Sequence, residues 1–445
     1  MRDAARPRCI FRPAVARRAE SRRFRELARS FRHAALALVV AAWLPATVAA
    51  SDPPAANPQR QLLAALTELL QKNPRHVGAI YVAARTAAAL GDEATAIVWL
   101  DRLEEVGMDD ELDPDDFGTF AHTPAYRERA ARFAARAKPI GKAARVTELR
   151  CAGLLPEGTA WDPKRRELLL ASGRRRTVVA VAADGSCRDV LPEADDGLLA
   201  VLGMTVDAAT DALWVASAAA PFMVGAKPAE AGRTMISRID LARGRVAVSY
   251  PLPTPGLLND VALARNGTVY ATESRGGAVY RLPRGGSALQ TVLAPGSLES
   301  PNGIVVLPGG QLLVADFDGL ALVHDPDGTA PRVVWLATPD QLYLGGIDGL
   351  ARARDGVVAI QNLVGRTRVW KLAIDVAGGR VARATVLMRG HPDFLNPTTG
   401  VVVGDRLLFV ADTKLQGAQP DGTLTALPAG RSGHRLLELS VAPAR

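Results

Sequence analysis

Between residues 57 and 138 the apolar positions recur at helical spacing; from residue 146 onward they fall in short runs divided by Gly, Asp and Pro. In the first stretch Leu62, Leu63, Leu66, Leu69 and Leu70 share one face. After Pro74 a second run (Ala79, Ile80, Val82, Ala83, Ala87, Ala88) ends at Leu90-Gly91-Asp92. A third run carries Ala94, Ala96, Ile97, Trp99, Leu100 and Leu103. Residues 109–116 then read as an acidic turn and residues 126–137 as another helix.

Small residues at helix contacts, with Leu-Gly-Asp at the turn, resemble one tetratricopeptide unit of about 34 residues. A single unit of that kind cannot bury its own apolar face, so it is expected to pack on flanking helices or on the adjoining strand domain. The expectation is a small all-α, tetratricopeptide-like domain over residues 51–140, in a structural role or docking a protein partner.

The strand region repeats. Six units align on their first strands at Glu157, Leu202, Asn259, Asn302, Asp348 and Thr399, recurring every 43 to 57 residues. That interval is close to the length of a four-stranded propeller blade. Residues 302–336 show the strands most plainly as GIVVL, QLLVAD, LALVHD and RVVWL. The last unit supplies only three strands, and residues 146–151 can serve as its missing outermost one, leaving no open edge. The chain is therefore read as an all-β six-bladed β-propeller over residues 145–445, preceded by the small helical domain.

Strand parity says which loops share a face with the aligned positions. The connections from second to third strand, and from each fourth strand to the next unit, carry Glu273, Arg275, Asp316, Asp318, Tyr343, Gln361, Asn362, His391 and Asp393. The longest of these loops, residues 217–233, reads as a lid or as a disordered surface insertion.

The net charge of +8 suggests nucleic acid until it is located: residues 1–33 hold eleven arginines against three acids, and the remainder is formally neutral. Nucleic-acid binding therefore has no electrostatic support. A cationic start, an apolar stretch over residues 34–44 and small residues before Ser51 form a secretory signal pattern over residues 1–50, with an uncleaved anchor as the competing reading. The apolar stretch falls short of the roughly 20 residues a membrane span needs. The mature chain is expected in the periplasm or secreted, with no stable membrane span. It would retain Cys151 and Cys187, which either form one disulfide or remain as two buried thiols.

Four of the six aligned positions are oxygen donors: Glu157, Asn259, Asn302 and Asp348. Repeats arranged around an axis bring equivalent positions together, so these donors would converge. Two carboxylates and two amide carbonyls suit a hard divalent cation such as calcium, with magnesium, manganese or zinc as alternatives. Read singly, Asn-Gly or Asp-Gly is an ordinary turn dipeptide; four in register point to a metal.

The segments Pro156-Glu-Gly, Asn259-Asp, Pro301-Asn-Gly-Ile and Asp348-Gly-Leu resemble the senescence marker protein/gluconolactonase family, over residues from about 145 to the C-terminus. The resemblance implies a six-bladed propeller with one divalent metal in its central channel, held by Glu157, Asn259, Asn302 and Asp348. It further implies Asp348 as general base, with Asn259 near the substrate. One departure is Leu257, where members often carry an Arg that grips sugar hydroxyls. The implied activity is metal-aided opening of a lactone or ester less polar than a sugar lactone. His391 is an alternative base, and no Gly-x-Ser-x-Gly elbow supports a serine nucleophile. A non-catalytic propeller binding a ligand or protein, with a structural metal, is the alternative from another class, and a phosphotriester is an alternative substrate.

Overall fold

The computed structural model describes residues 57–192, 197–339, 342–413, 423, 431 and 433–442. The signal pattern over residues 1–50 lies outside these. Pro58–Arg445 forms one compact unit, opening with four helices: α1 (Pro58–Lys72), α2 (Val77–Ala89), α3 (Glu93–Glu105) and α4 (Pro124–Arg136). Their starts follow from local chemistry. Asp92 accepts the Thr95 N–H ahead of α3, and Thr123 accepts the Tyr126 N–H ahead of α4, where Pro124 occupies a position that needs no N–H. The small residues of α2 (Ala79, Ala83, Ala84 and Ala87) are fully or almost fully buried, letting the helices approach closely around Leu66, Leu100, Leu103, Phe120 and Phe133. Of the acidic stretch, Pro114–Asp116 forms a 3-10 turn whose Asp116 accepts the Tyr81 hydroxyl.

The rest is a six-bladed β-propeller of four-stranded antiparallel sheets, as the repeat spacing predicts. The inner strands of blades one to five are Pro156–Asp162, Ala200–Asp207, Leu258–Leu263, Ile304–Val306 and Ile347–Ala353; that of blade six is Gly400–Val403. Apolar side chains of neighbouring sheets pack face to face: Leu169, Val178 and Leu198 with Leu213 and Val215 between blades one and two, and Leu313 and Leu322 with Val357 and Trp370 between blades four and five.

Blade six draws its outermost strand from the front of the domain. Arg145–Glu148 pairs antiparallel with Arg435–Ser440, Val146 opposite Leu437. Joining the two ends this way makes the ring continuous. Immediately after that strand, Cys151 is disulfide-bonded to Cys187 at the start of the outer strand of blade one, with Cα atoms 5.4 Å apart. The disulfide therefore straddles the seam where the ring closes.

The helices join the propeller over blades four and five. Tyr343, between those blades, belongs to the helical core, and Val364 packs against it. The buried carboxylate of Asp109 meets Arg368 at 2.7 Å and Arg389 at 2.9 Å. Asn73 donates to Asp318 at 2.9 Å, and Arg75 donates to the Leu342 carbonyl at 2.7 Å. Among the described residues no helix is long and apolar enough to cross a membrane.

Candidate functional site

Four of the six inner strands are irregular at the aligned position. Pairing with the second strand slips between Pro156 and Thr159, Val201 and Met204, Leu258 and Val261, and Ile347 and Gly349. These bulges enclose Glu157, Leu202, Asn259 and Asp348. A bulge breaks strict alternation and re-aims a side chain, which here takes a polar residue out of an otherwise apolar strand. Asn302 is held similarly, its N–H donating to the Ala315 carbonyl while the next residue, Gly303, accepts the Ala315 N–H.

In blades one to five the residue after the aligned position decides how closely the inner strands approach. In five blades it is Gly (Gly158, Gly203, Gly303, Gly349, Gly400). A Cβ on Gly203 would lie 2.7 Å from the Asn259 carbonyl oxygen, and one on Gly349 would lie 2.8 Å from the Thr399 Cα, so the first strand of the next blade fills that space. Blade three carries Asp260 instead. Its Oδ2 accepts the Ile304 N–H of blade four at 3.1 Å, and its Oδ1 accepts the Val261 N–H at 2.8 Å. Ring closure uses hydroxyls: Thr399 donates to the Glu157 carbonyl at 2.8 Å, and Thr398 lies beside it at 3.4 Å.

The ends of the second strands hold the approach to these positions. Ser172 accepts the Leu155 N–H, Glu273 accepts those of Leu257, Arg275 and Gly276, and Asp316 accepts those of Ser300 and Asp318. Gln361 donates to the carbonyls of Tyr343 and Gly345. Glu273 is 3 % exposed and committed to three backbone donors. At Leu257 the backbone N–H supports Glu273, whatever the side chain.

At the centre, Glu157 and Asp348 are each 5 % exposed and Asp260 is 9 % exposed. Asn362 donates to Asp348 Oδ2 at 2.5 Å, and the Asn302 amide is close enough to favour the charged form of Asp348. Burial raises the proton affinity of Glu157 well above the ordinary carboxylate value, and the charges of Asp348 and Asp260 raise it further. Asp348 is raised too, by burial against the opposing hydrogen bonds of Asn362 and Asn302. Burial pushes Asp260 up to about 7 despite the N–H groups of Ile304 and Val261. Asn259 donates to Ser274 Oγ at 2.9 Å, and Ser274 in turn donates to the Pro301 carbonyl at 2.6 Å.

Of the four sequence-predicted donors, Glu157, Asn302 and Asp348 therefore interact directly, while the Asn259 amide nitrogen is tied to Ser274. Asp260 and Asn362 join the cluster although the strand alignment singled out neither as a site residue. Asp260 had a visible signal, as the one acid in the slot that is otherwise Gly. His391 accepts the Asp393 N–H with Nδ1 and packs beside Phe394, contacts that fix it in its own turn. The 217–233 loop is anchored: Met223 is buried with Leu199, Ala200 and Met235, and the Val224 N–H donates to the Arg174 carbonyl.

The donor chemistry suits a hard cation. Glu157 Oε2 is buried without a hydrogen-bond partner, beside two further carboxylates whose mutual repulsion lacks a positive charge to offset it. Among the described residues no three of His, Cys, Asp and Glu form a ready ligand group, so a cation here would rest on carboxylates and amides together.

No family model and no curated protein matches the chain. Solved structures do. The PQQ-bound aldose sugar dehydrogenase of Streptomyces coelicolor is 16 % identical with a TM-score of 0.46, over 68 % of this chain and 98 % of that one. A gluconolactonase of Xanthomonas campestris is 18 % identical with a TM-score of 0.44, over 68 % of this chain and 100 % of that one. Virginiamycin B lyase of Staphylococcus aureus is 13 % identical with a TM-score of 0.42, over 67 % and 99 %. A dehydrogenase, a gluconolactonase and a lyase thus stand side by side at similar distance, and the activity of this chain rests on its own residues.

Proposed function

We propose that the chain is a divalent-cation-dependent hydrolase that opens a lactone or ester, related to the senescence marker protein/gluconolactonase family. The observation that carries this reading is the buried Glu157–Asp348 pair, with an unpartnered Glu157 oxygen and an Asn362 hydrogen bond to Asp348. Glu157, Asn259, Asn302 and Asp348 would hold the ion, with calcium the best match to their oxygen chemistry. When bound, such an ion supplies Lewis acidity toward a carbonyl oxygen.

The chain's own residues account for the proton movements. Asp348, held by Asn362, takes a proton from a water as the water oxygen bonds to the carbonyl carbon. When the bond from that carbon to the leaving oxygen breaks, Asp348 returns the proton to the alkoxide. Burial raises the proton affinity of Asp348, which suits a base; a bound cation would lower it again and keep the carboxylate ionised at neutral pH. Leu257 in place of a sugar-gripping Arg favours a less polar acyl substrate. The Cys151–Cys187 disulfide supports an exported protein, periplasmic or secreted.

The test is a panel of lactones and esters assayed with the chain from Ser51, with and without chelator. Turnover is expected, lost on chelation and restored by calcium. Asp348→Asn should lower kcat by about 10²–10⁴ with the fold intact. Tight calcium binding with no turnover across the panel would replace this reading with that of a binding propeller carrying a structural ion.

A further inference from the structure

Two consecutive amides end the second strand of blade five, and their environments differ. Gln361 is fully buried and fully partnered: Nε2 donates to the carbonyls of Tyr343 and Gly345, and Oε1 accepts from Trp370 Nε1 at 2.8 Å. Asn362 is partnered only at nitrogen. Its Nδ2 donates to Asp348 Oδ2 at 2.5 Å and to the Pro397 carbonyl at 2.7 Å, while its Oδ1 is buried with no hydrogen-bond partner.

The amide orientation follows from its partners. A carboxylate oxygen and a backbone carbonyl can both only accept, so the NH₂ group faces them and the oxygen faces elsewhere. Flipping the amide would set an oxygen against two oxygens. Asn362 Oδ1 is thus a fixed, buried acceptor on a side chain bonded to Asp348. Glu157 Oε2, on the buried carboxylate that feels the Asp348 charge, is a second one. Buried acceptors without donors are uncommon in folded proteins and call for a missing partner. Two of them flanking one carboxylate call for an electropositive one.

We propose that Asn362, through Oδ1, is a further protein ligand of the divalent cation, contributed by a loop rather than by an inner strand. This rests on the cation reading of the Glu157–Asp348 site. The same side chain would then act twice, with Nδ2 fixing the Asp348 carboxylate and Oδ1 adding a neutral oxygen. A neutral fifth donor completes the coordination of a large, flexible ion such as calcium without adding charge.

The two roles separate by substitution, read by calorimetric titration of the metal-stripped chain with calcium chloride. Asn362→Leu and the smaller Asn362→Ser remove both functions at this position. Asn362→Asp removes donation to Asp348 but keeps an oxygen where Oδ1 lies and adds negative charge. As an Oδ1 ligand, Asn362 requires that the Leu or Ser variant weaken calcium binding by about tenfold or more. The Asp variant should then bind as tightly as the parent chain or more tightly. Equal weakening in the Asp and Leu variants would overturn the assignment, because Asn362 would then act only by donating to Asp348. Unchanged affinity in all three variants would overturn it as well. If the parent chain itself binds no calcium, magnesium or manganese, the cation reading fails first and the ligand assignment with it. Thermal melts of each variant identify any that do not fold, and the Ser variant stands in if the Leu variant is among them.

Discussion

Gly303 of blade four lies directly against the Asp348 backbone of blade five: a Cβ built on Gly303 would come 2.7 Å from both the Asp348 carbonyl oxygen and the Leu350 nitrogen. The residue next to one candidate ligand is thus the spacer that sets the position of another. Backbone cannot yield as a flexible side chain does, so Gly303→Ala should push the two inner strands apart. A loss of about 1–3 kcal/mol is expected in denaturant unfolding, with calcium affinity falling in parallel. A parent-like unfolding midpoint would show that the strands have slack.

The buried carboxyls set a pH dependence with a definite sign. Burial holds Asp260 at about 7 and Asp316 at about 6, with Glu157 and Asp348 raised as well. For an acid whose folded value lies above its unfolded value of 3.8, the folded state keeps a proton that the unfolded chain has already lost. Stability therefore falls as pH rises between about 4 and 7. Acids with lowered values, such as Asp184 and Asp240, act in the opposite sense below about 4. The cation-free chain should lose a few degrees of melting temperature (~2–4 °C per kcal/mol) across that window. Calcium should restore them at pH 7, and Asp260→Asn should flatten the slope. A cation-free melting temperature that rises from pH 4 to 7 would contradict this account.

Asp109 joins the helices to the sheets through Arg368 and Arg389. Burial outweighs the two guanidiniums and lifts its carboxyl above the ordinary range, and burial likewise lowers Arg368. The pairing is therefore a weak source of net stability, yet breaking it leaves buried charges uncompensated. Asp109→Ala should cost about 3–5 kcal/mol and expose the 137–145 connection to limited proteolysis. A parent-like digestion pattern would mean that Tyr343 and its apolar neighbours hold the helices by themselves.

The Cys151–Cys187 disulfide closes a loop with a sequence separation of 36 across the seam of the ring. Constraining a loop of that length in the unfolded chain stabilises the fold by about 3–4 kcal/mol. Cys151→Ser, or reduction of the parent chain, should lower the unfolding free energy by the same amount. A variant insensitive to reductant but as stable as the oxidised parent would show that pairing of residues 145–148 with 435–440 closes the ring unaided.

Much of this architecture was legible in the order of residues. Period-two apolar runs with turn residues between them specify strands, and their recurrence every 43 to 57 residues specifies six blades. The three-strand last unit required a strand from residues 146–151, and Arg145–Glu148 supplies it. Repetition also carried the positions of Glu157, Asn302 and Asp348, because equivalent positions in a closed ring face one axis. Features that lie off the repeat, or that depend on burial, emerged only on folding. Asp260 fills a glycine slot but owes its raised proton affinity to burial, against the opposing N–H groups of Ile304 and Val261. Glu273 and Gln361 end second strands next to polar loops, yet they spend their side chains on backbone groups of the neighbouring connections. Asn362 differs from Gln361 only in lacking a partner for its oxygen, and no sequence pattern records an absent partner. The helices likewise carried an apolar face expected to pack on flanking helices or on the strand domain, and Tyr343, Val364 and the Asp109 ion pairs fix its place over blades four and five. Periodicity is a local property and survives in the sequence; satisfaction of buried polar groups is a property of neighbours brought together by folding.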